Sequence, residues 1–152
     1  MRYIDLHVHS NCSDGTFSPE ELVVLGIKQE LVAFALTDHD TISGVERAIK
    51  KAEEFDNKIQ VIPGMELSCK YTISSSQSVE IHMLGYRYDI HNKKLTDTLE
   101  DISNERDERN RKMCNNLQNA GFPISYDMLC ERFGDTILTR AHFARLLLEN
   151  GG

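Results

Sequence analysis

The 152 residues contain no run of about 18 or more apolar residues, which removes a membrane-spanning helix from the possible readings. The opening MRYIDLHVHS lacks the charged-then-apolar layout of a secretory signal, so a cytoplasmic protein is the expectation. Cys12, Cys69, Cys114 and Cys130 form no Cys-x-x-Cys pair; neither a zinc knuckle nor a redox motif is present, and reduced thiols follow. Basic residues number 17 against 24 acidic ones, and the net charge of -7 argues against a surface that coats duplex DNA or an anionic membrane. There is no Gly- or Pro-rich linker, no internal repeat, and no Ser, Cys or Asp nucleophile with an evident base.

What is present is a chain with 40% hydrophobic residues, enough to bury the core of one domain. Its charge is uneven. Residues 1–92 carry 14 acidic and 8 basic side chains, whereas residues 93–152 carry 10 and 9. The first segment also holds five of the six histidines: His7, His9, His39, His82 and His91. Imidazole mixed with carboxylate is the composition of a site for Mn, Fe or Zn.

Residues 1–92 alternate short apolar runs with helical stretches, the pattern of βαβ units and a parallel sheet in an α/β fold. Strands are expected at Tyr3–Val8, Val32–Leu36, Ile59–Ile62 (ending at Pro63-Gly64) and Val79–Tyr88. Helices are expected from the Ser18-Pro19-Glu20-Glu21 start to about Gln29, and over Ser43–Phe55. The polar stretch Thr72–Ser78 shows no periodicity and reads as a loop. Beyond His91, which lies in a turn and reads as surface, the apolar seam Leu95, Leu99, Ile102, Met113 and Leu117 predicts one long solvated helix. Arg106 and Arg109 interrupt the seam, and Gly121 ends it. Tyr126–Phe133 and Arg140–Asn150, the latter capped by Thr139, complete a helical second segment.

Five clusters can carry chemistry, and each has a plain alternative. In Asp5-Leu6-His7-Val8-His9 the alternation of a strand puts Asp5, His7 and His9 on one face. Two imidazoles so spaced can chelate an ion, with Asp5 orienting one of them through its second nitrogen, or can be surface histidines of an edge strand. Asp14 in Ser13-Asp14-Gly15-Thr16 is a turn former or a ligand. His39 between Asp38 and Asp40 is a ligand backed by carboxylates, or belongs to a helix-start cluster. Taken singly, Glu66 after the third strand can be a surface acid, and His82 within the apolar fourth strand reads first as a satisfied core histidine. One site at successive strand ends explains all five together, since active sites of (β/α) barrels assemble at the C-terminal strand ends.

The segments DLHVHSNCSDGTFSPEEL, FALTDHDTISG, IPGMELS and IHMLGY, motif by motif and in order, resemble the polymerase and histidinol phosphatase (PHP) family. That resemblance implies a partial distorted (β/α)7 barrel with a helical insert subdomain, residues 1–92 forming the N-terminal portion of the barrel and residues 93–152 the insert. It also implies up to three divalent ions, of Mn, Zn or Fe. His7 and His9 would bind one, Asp14 and His39 a second, His82 the third, with Glu66 bridging.

RNRKMCNNLQNAGFPIS and TRAHFAR are similar to the insert of a PHP subgroup of nucleoside-bisphosphate phosphatases and 5′-3′ exonucleases. In that subgroup Arg140 and His142 would face the substrate phosphate, a role that a first helical turn behind a Thr cap also favours. The expected activity is phosphoester hydrolysis by metal-bound hydroxide, on a phosphorylated small molecule, nucleotide or short oligonucleotide. Two alternatives are a histidinol-phosphatase-like or DNA-end phosphoesterase, and a fragment that binds metal or a partner without catalysis. Family members continue past the insert with strands that supply another histidine and an Asp-x-His pair. A chain ending at Gly151-Gly152 is therefore expected to form an unclosed barrel with a free strand edge.

Overall fold

A computed structural model describes residues 3–151. Strands β1 (Tyr3–Val8), β2 (Leu31–Leu36), β3 (Gln60–Ser74) and β4 (Gln77–Tyr86) form one curled sheet in the order β1-β2-β3-β4. Helices α1 (Pro19–Lys28) and α2 (Val45–Glu53) link the first three strands, and α3 (Lys93–Asn119), α4 (Tyr126–Phe133) and α5 (Arg140–Glu149) follow the sheet. β1–β2 and β2–β3 are parallel, as the βαβ pattern predicts. None of the described helices is long and apolar enough to cross a membrane.

α1 starts where the sequence says it should. The Ser18 hydroxyl accepts the Glu21 N–H at 3.2 Å while the Glu21 carboxylate accepts the Ser18 N–H at 2.8 Å, a reciprocal cap that satisfies two otherwise orphaned donors. Leu22 and Val23 of α1 and Val45, Ala48 and Ala52 of α2 then pack on Phe34 and Leu36 of β2 and on Ile59 and Val61. A second apolar cluster, Cys114, Ile124, Leu129, Leu138, Phe143 and Leu146, joins α3, α4 and α5. Gly121 ends α3 at φ +91, a left-handed conformation that costs glycine nothing.

Two expectations about the third and fourth strands fail. β3 does not stop at Pro63-Gly64; it changes partner there, pairing with β2 up to Pro63 and with β4 from Gly64 onward. Proline stands at the last rung of the first ladder, where a missing N–H does least harm. Gly64 is required because a Cβ would lie 2.7 Å from Thr37 Cγ2 and 2.8 Å from the Leu36 carbonyl oxygen. β4 is antiparallel to β3, and the supposed loop Thr72–Ser78 is the hairpin end, paired through Ser74↔Gln77. Both faces of this end are exposed, so no alternation of polar and apolar residues marks it as strand.

Among the described residues, β1 and β4 have one strand neighbour each and expose Tyr3, Ile4, Leu6, Ile81 and Met83. The curl brings these edges toward each other: the Tyr86 hydroxyl of β4 donates to the Leu6 carbonyl of β1 at 2.8 Å.

Candidate metal centre

The parallel β1–β2 pairing places the end of β1 beside the segment that leaves β2, where the Thr37 N–H donates to the Val8 carbonyl at 2.7 Å. That segment continues alongside β3: the Asp40 N–H donates to the Glu66 carbonyl at 3.0 Å and the Glu66 N–H to the Asp38 carbonyl at 3.1 Å. His7, His9, His39 and Glu66 are thereby brought together, and β4 adds His82 diagonally across from Glu66 on the same face. Asp14 arrives on a loop tied down from beneath. The buried Asp38 carboxylate accepts the Ser10 N–H at 2.7 Å, the Ser10 hydroxyl at 2.6 Å and the Ser13 hydroxyl at 2.7 Å. Gly15 completes this loop with its Cα against the His9 carbonyl, leaving no room for a side chain.

The donor atoms are close. His7 Nε2 and His9 Nε2 are 3.1 Å apart and lie 3.0 and 2.9 Å from Glu66 Oε2. His82 Nδ1 is 2.8 Å from Glu66 Oε1, His9 Nδ1 is 2.9 Å from Asp14 Oδ1, and His39 reaches Asp14 Oδ2 and Glu66 Oε2 at 3.5 Å each. They resolve into three overlapping triads: His7, His9 and Glu66; His9, Asp14 and His39; His39, Glu66 and His82.

Ligands about 2.0–2.2 Å from one cation lie roughly 3–3.5 Å from each other, the spacing seen here. Hydrogen bonds alone do not account for the cluster. The Nε2 atoms of His7 and His9 crowd against each other and against one Glu66 oxygen, and His39 Nδ1 is buried with no hydrogen-bond partner. A cation set among these atoms relieves both.

The electrostatics are those of a negative site held open for positive charge. Hydrogen bonds from His39 and His9 hold the Asp14 carboxyl well below the usual range. Burial pushes the Glu66 carboxyl up, but hydrogen bonds from His7 and His82 and the charge of His39 outweigh it, so Glu66 also stays low. Burial pulls His9 down, yet Asp14, Glu66 and Asp38 together raise it.

A family model for the PHP domain matches residues 5–144. The chain belongs to the PHP domain family. It is 37% identical over 147 residues to a 5′-3′ exoribonuclease of Haemophilus influenzae, covering 97% of this chain and 51% of that protein. It is 32% identical over 153 residues to a 3′,5′-nucleoside bisphosphate phosphatase of Chromobacterium violaceum, covering 99% and 51%. A solved structure of an amidohydrolase from Chromobacterium violaceum, with bound sulfate and no metal, superimposes with a TM-score of 0.85 at 32% identity, covering 97% of this chain and 50% of that one. The PHP chain thus spans about half the length of the curated relatives it matches, and its curled sheet with appended helices is a partial PHP barrel.

Within this PHP domain, several side chains do something other than the sequence suggests. The Asp5 carboxylate accepts the backbone N–H of His7 at 3.1 Å and reaches no imidazole nitrogen. Asp38 and Asp40 also leave the rings alone: Asp38 anchors the Asp14 loop, and Asp40 accepts the Ser68 N–H at 2.8 Å and Arg106 Nε at 2.6 Å. Arg106 is therefore not an interruption of the α3 seam; it is buried against Asp40 and donates to the Ser68 hydroxyl at 2.7 Å.

Arg140 is mostly exposed and bound to Glu80 at 2.9 Å. His142 is buried, and its Nδ1 accepts the Thr139 N–H at 3.0 Å in a reciprocal helix cap. Burial holds the imidazole below its ordinary pKa. The sequence reading missed Ser10, Ser13 and Glu80. Only the serines carried a signal, as hydroxyls in the turn just after His-x-His. His91 is exposed, as expected.

Proposed function

We propose that this chain is the portion of a metal-dependent phosphoesterase that holds most of its ions, and that the substrates are phosphate esters of nucleotides or short oligonucleotides. The observation that carries this reading is the set of three overlapping triads around Glu66, with His39 Nδ1 buried and unpartnered among them. His7, His9, Asp14, His39, Glu66 and His82 would hold the ions. When bound, divalent ions supply Lewis acidity toward phosphoryl oxygens and acidify water at neutral pH. Imidazole with carboxylate suits Mn, Fe and Zn alike.

The chain's own residues do the positioning. Glu66 offers both oxygens, one toward His7 and His9 and the other toward His82, and so ties the triads together. Asp14 fixes the His9 tautomer through Oδ1 and leaves Oδ2 toward His39. Asp38 holds the loop that presents Asp14. Residues 93–152, with an apolar cluster of their own, serve as an insert over the barrel strands and helices of residues 1–92. There Arg140 would exchange Glu80 for a substrate phosphate, while His142, neutral at pH 7, keeps α5 in register with Asp14 through Thr139, whose hydroxyl lies 3.4 Å from Asp14 Oδ2. The nucleotide class is supported by the exoribonuclease and the bisphosphate phosphatase among the relatives.

The test uses protein expressed from its complete coding sequence. Metal content is measured, and phosphate release is followed from adenosine 3′,5′-bisphosphate and from a 5′-phosphorylated trinucleotide, with and without chelator. Release that requires added Mn²⁺ or Zn²⁺, and that His39→Ala abolishes along with some of the bound metal, is the expected result. Release that is indifferent to chelator overturns the reading.

A further inference from the structure

A cavity of about 170 Å³ opens beside the histidine cluster, and its lining includes Asp14, His39, Glu80 and three arginines, Arg106, Arg109 and Arg140. The three guanidiniums are not equivalent. Arg106 is committed to Asp40, and Arg140 is bound to Glu80. Arg109 has no such partner. Its Nε is buried without a hydrogen bond, and its terminal nitrogen reaches only Asn110 Oδ1, at 3.5 Å. Burial and the like charges of Arg106 and Arg140 hold this guanidinium below its usual pKa, outweighing the opposite charges of Glu80 and Asp40. A buried donor without a partner is rare in a folded protein, because the desolvation it suffers is not returned. An incoming anion returns it and relieves the repulsion as well.

A second cavity, of about 350 Å³, shares Ser68, Glu80, Arg109 and Arg140 with the first and is lined further by Lys70 and Ser78 of the β3–β4 hairpin. Arg109 thus stands where the compartment of the metal cluster meets a longer trough that carries a further cation. The leaving group of a phosphoester held at the cluster can enter this trough.

We infer that Arg109 binds the non-scissile phosphate of substrates carrying two phosphoryl groups, and so selects a nucleoside bisphosphate or a phosphorylated oligonucleotide over a simple monoester. The assignment rests on the phosphoesterase reading above and adds the residue that sets its specificity. The planar fork of arginine suits a phosphate, and lysine at this position would supply charge without the fork.

The protein from its complete coding sequence, with Mn²⁺, is assayed on adenosine 3′,5′-bisphosphate and on adenosine 3′-monophosphate. Binding of the bisphosphate is measured separately by calorimetry in chelator, where no turnover occurs. Arg109→Met is expected to lower the ratio of kcat/KM for the two substrates about 10- to 100-fold, chiefly through KM, and to weaken binding in chelator by a similar factor. Arg109→Lys, which keeps a charge on the same helix face, recovers some of both. A ratio within about twofold of the unaltered protein in both variants overturns the inference, as does an equal loss on the two substrates with binding unchanged. Arg109-dependent binding by a protein that hydrolyses neither substrate keeps this assignment and overturns the phosphoesterase reading. Hydrolysis of both with an unaltered ratio in Arg109→Met does the reverse.

Discussion

Replacing Arg106 by Met breaks the ion pair that fastens the middle of α3 to the segment carrying His39. The Asp40 side chain is 0% exposed and that of Arg106 9%, so neither charge has water to fall back on. Methionine fills much of the arginine stem's volume, and the expected cost is therefore electrostatic. Asp40 keeps only the Ser68 N–H, and the Ser68 hydroxyl loses its donor. Removing one partner of a buried pair costs about 3–5 kcal/mol, which for a chain of this length lowers Tm by about 6–20 °C.

Asp40 stands at φ +51, a left-handed conformation that asparagine also tolerates, so Asp40→Asn removes the charge without straining the backbone. The double variant carries no buried charge at this place. It should be less destabilised than the sum of the two single variants by about 2–3 kcal/mol. Urea denaturation of all four proteins closes the cycle. An Arg106→Met variant within about 1 kcal/mol of the unaltered protein, or strict additivity, refutes the reasoning.

Gly15→Ala should drive a Cβ into the His9 carbonyl and shift the loop that presents Asp14, costing about 1–3 kcal/mol and weakening Mn²⁺ binding measured by calorimetry; unchanged binding contradicts the placement of the loop. Leu129→Ala empties the centre of the second apolar cluster and should cost about 2–5 kcal/mol in urea unfolding, whereas a loss below about 1 kcal/mol means that the cluster is not a packed core. Cys130 is exposed while Cys12 and Cys114 are buried, so a thiol reagent should modify Cys130 first and reach Cys12 and Cys114 only after denaturant is added. Rapid modification of Cys114 in the folded protein would be inconsistent with the helical packing.

The features of the fold that the sequence announces are those specified locally. The cap at Ser18, the apolar run Val32–Leu36, the stop at Gly121 and the bounds of α4 follow from neighbours within a few residues. The hairpin end of β3 and β4 was not legible, because a strand exposed on both faces leaves no alternation to read. The candidate ligands were legible as types and as strand-end positions. Their convergence on Glu66 depended on β3 changing partner at Pro63-Gly64, where composition suggested only an end.

By itself the sequence determined the family, the order of strands and helices through α2, the helical second segment, and which histidines and carboxylates are available to a cation. Only the tertiary structure decided which charge meets which. Asp40 was expected behind a ligand and instead neutralises Arg106, 66 residues away; Arg140 was expected on a substrate and rests on Glu80, 60 residues away; His142 closes a helix cap. Of the three neighbouring arginines, Arg106 and Arg140 are paired with Asp40 and Glu80, while Arg109 Nε is buried without a hydrogen bond. Capping and hydrophobic periodicity act over a few residues and can be read along the chain, whereas an ion pair falls off with distance in space, and that distance is set only when α3 closes over the sheet.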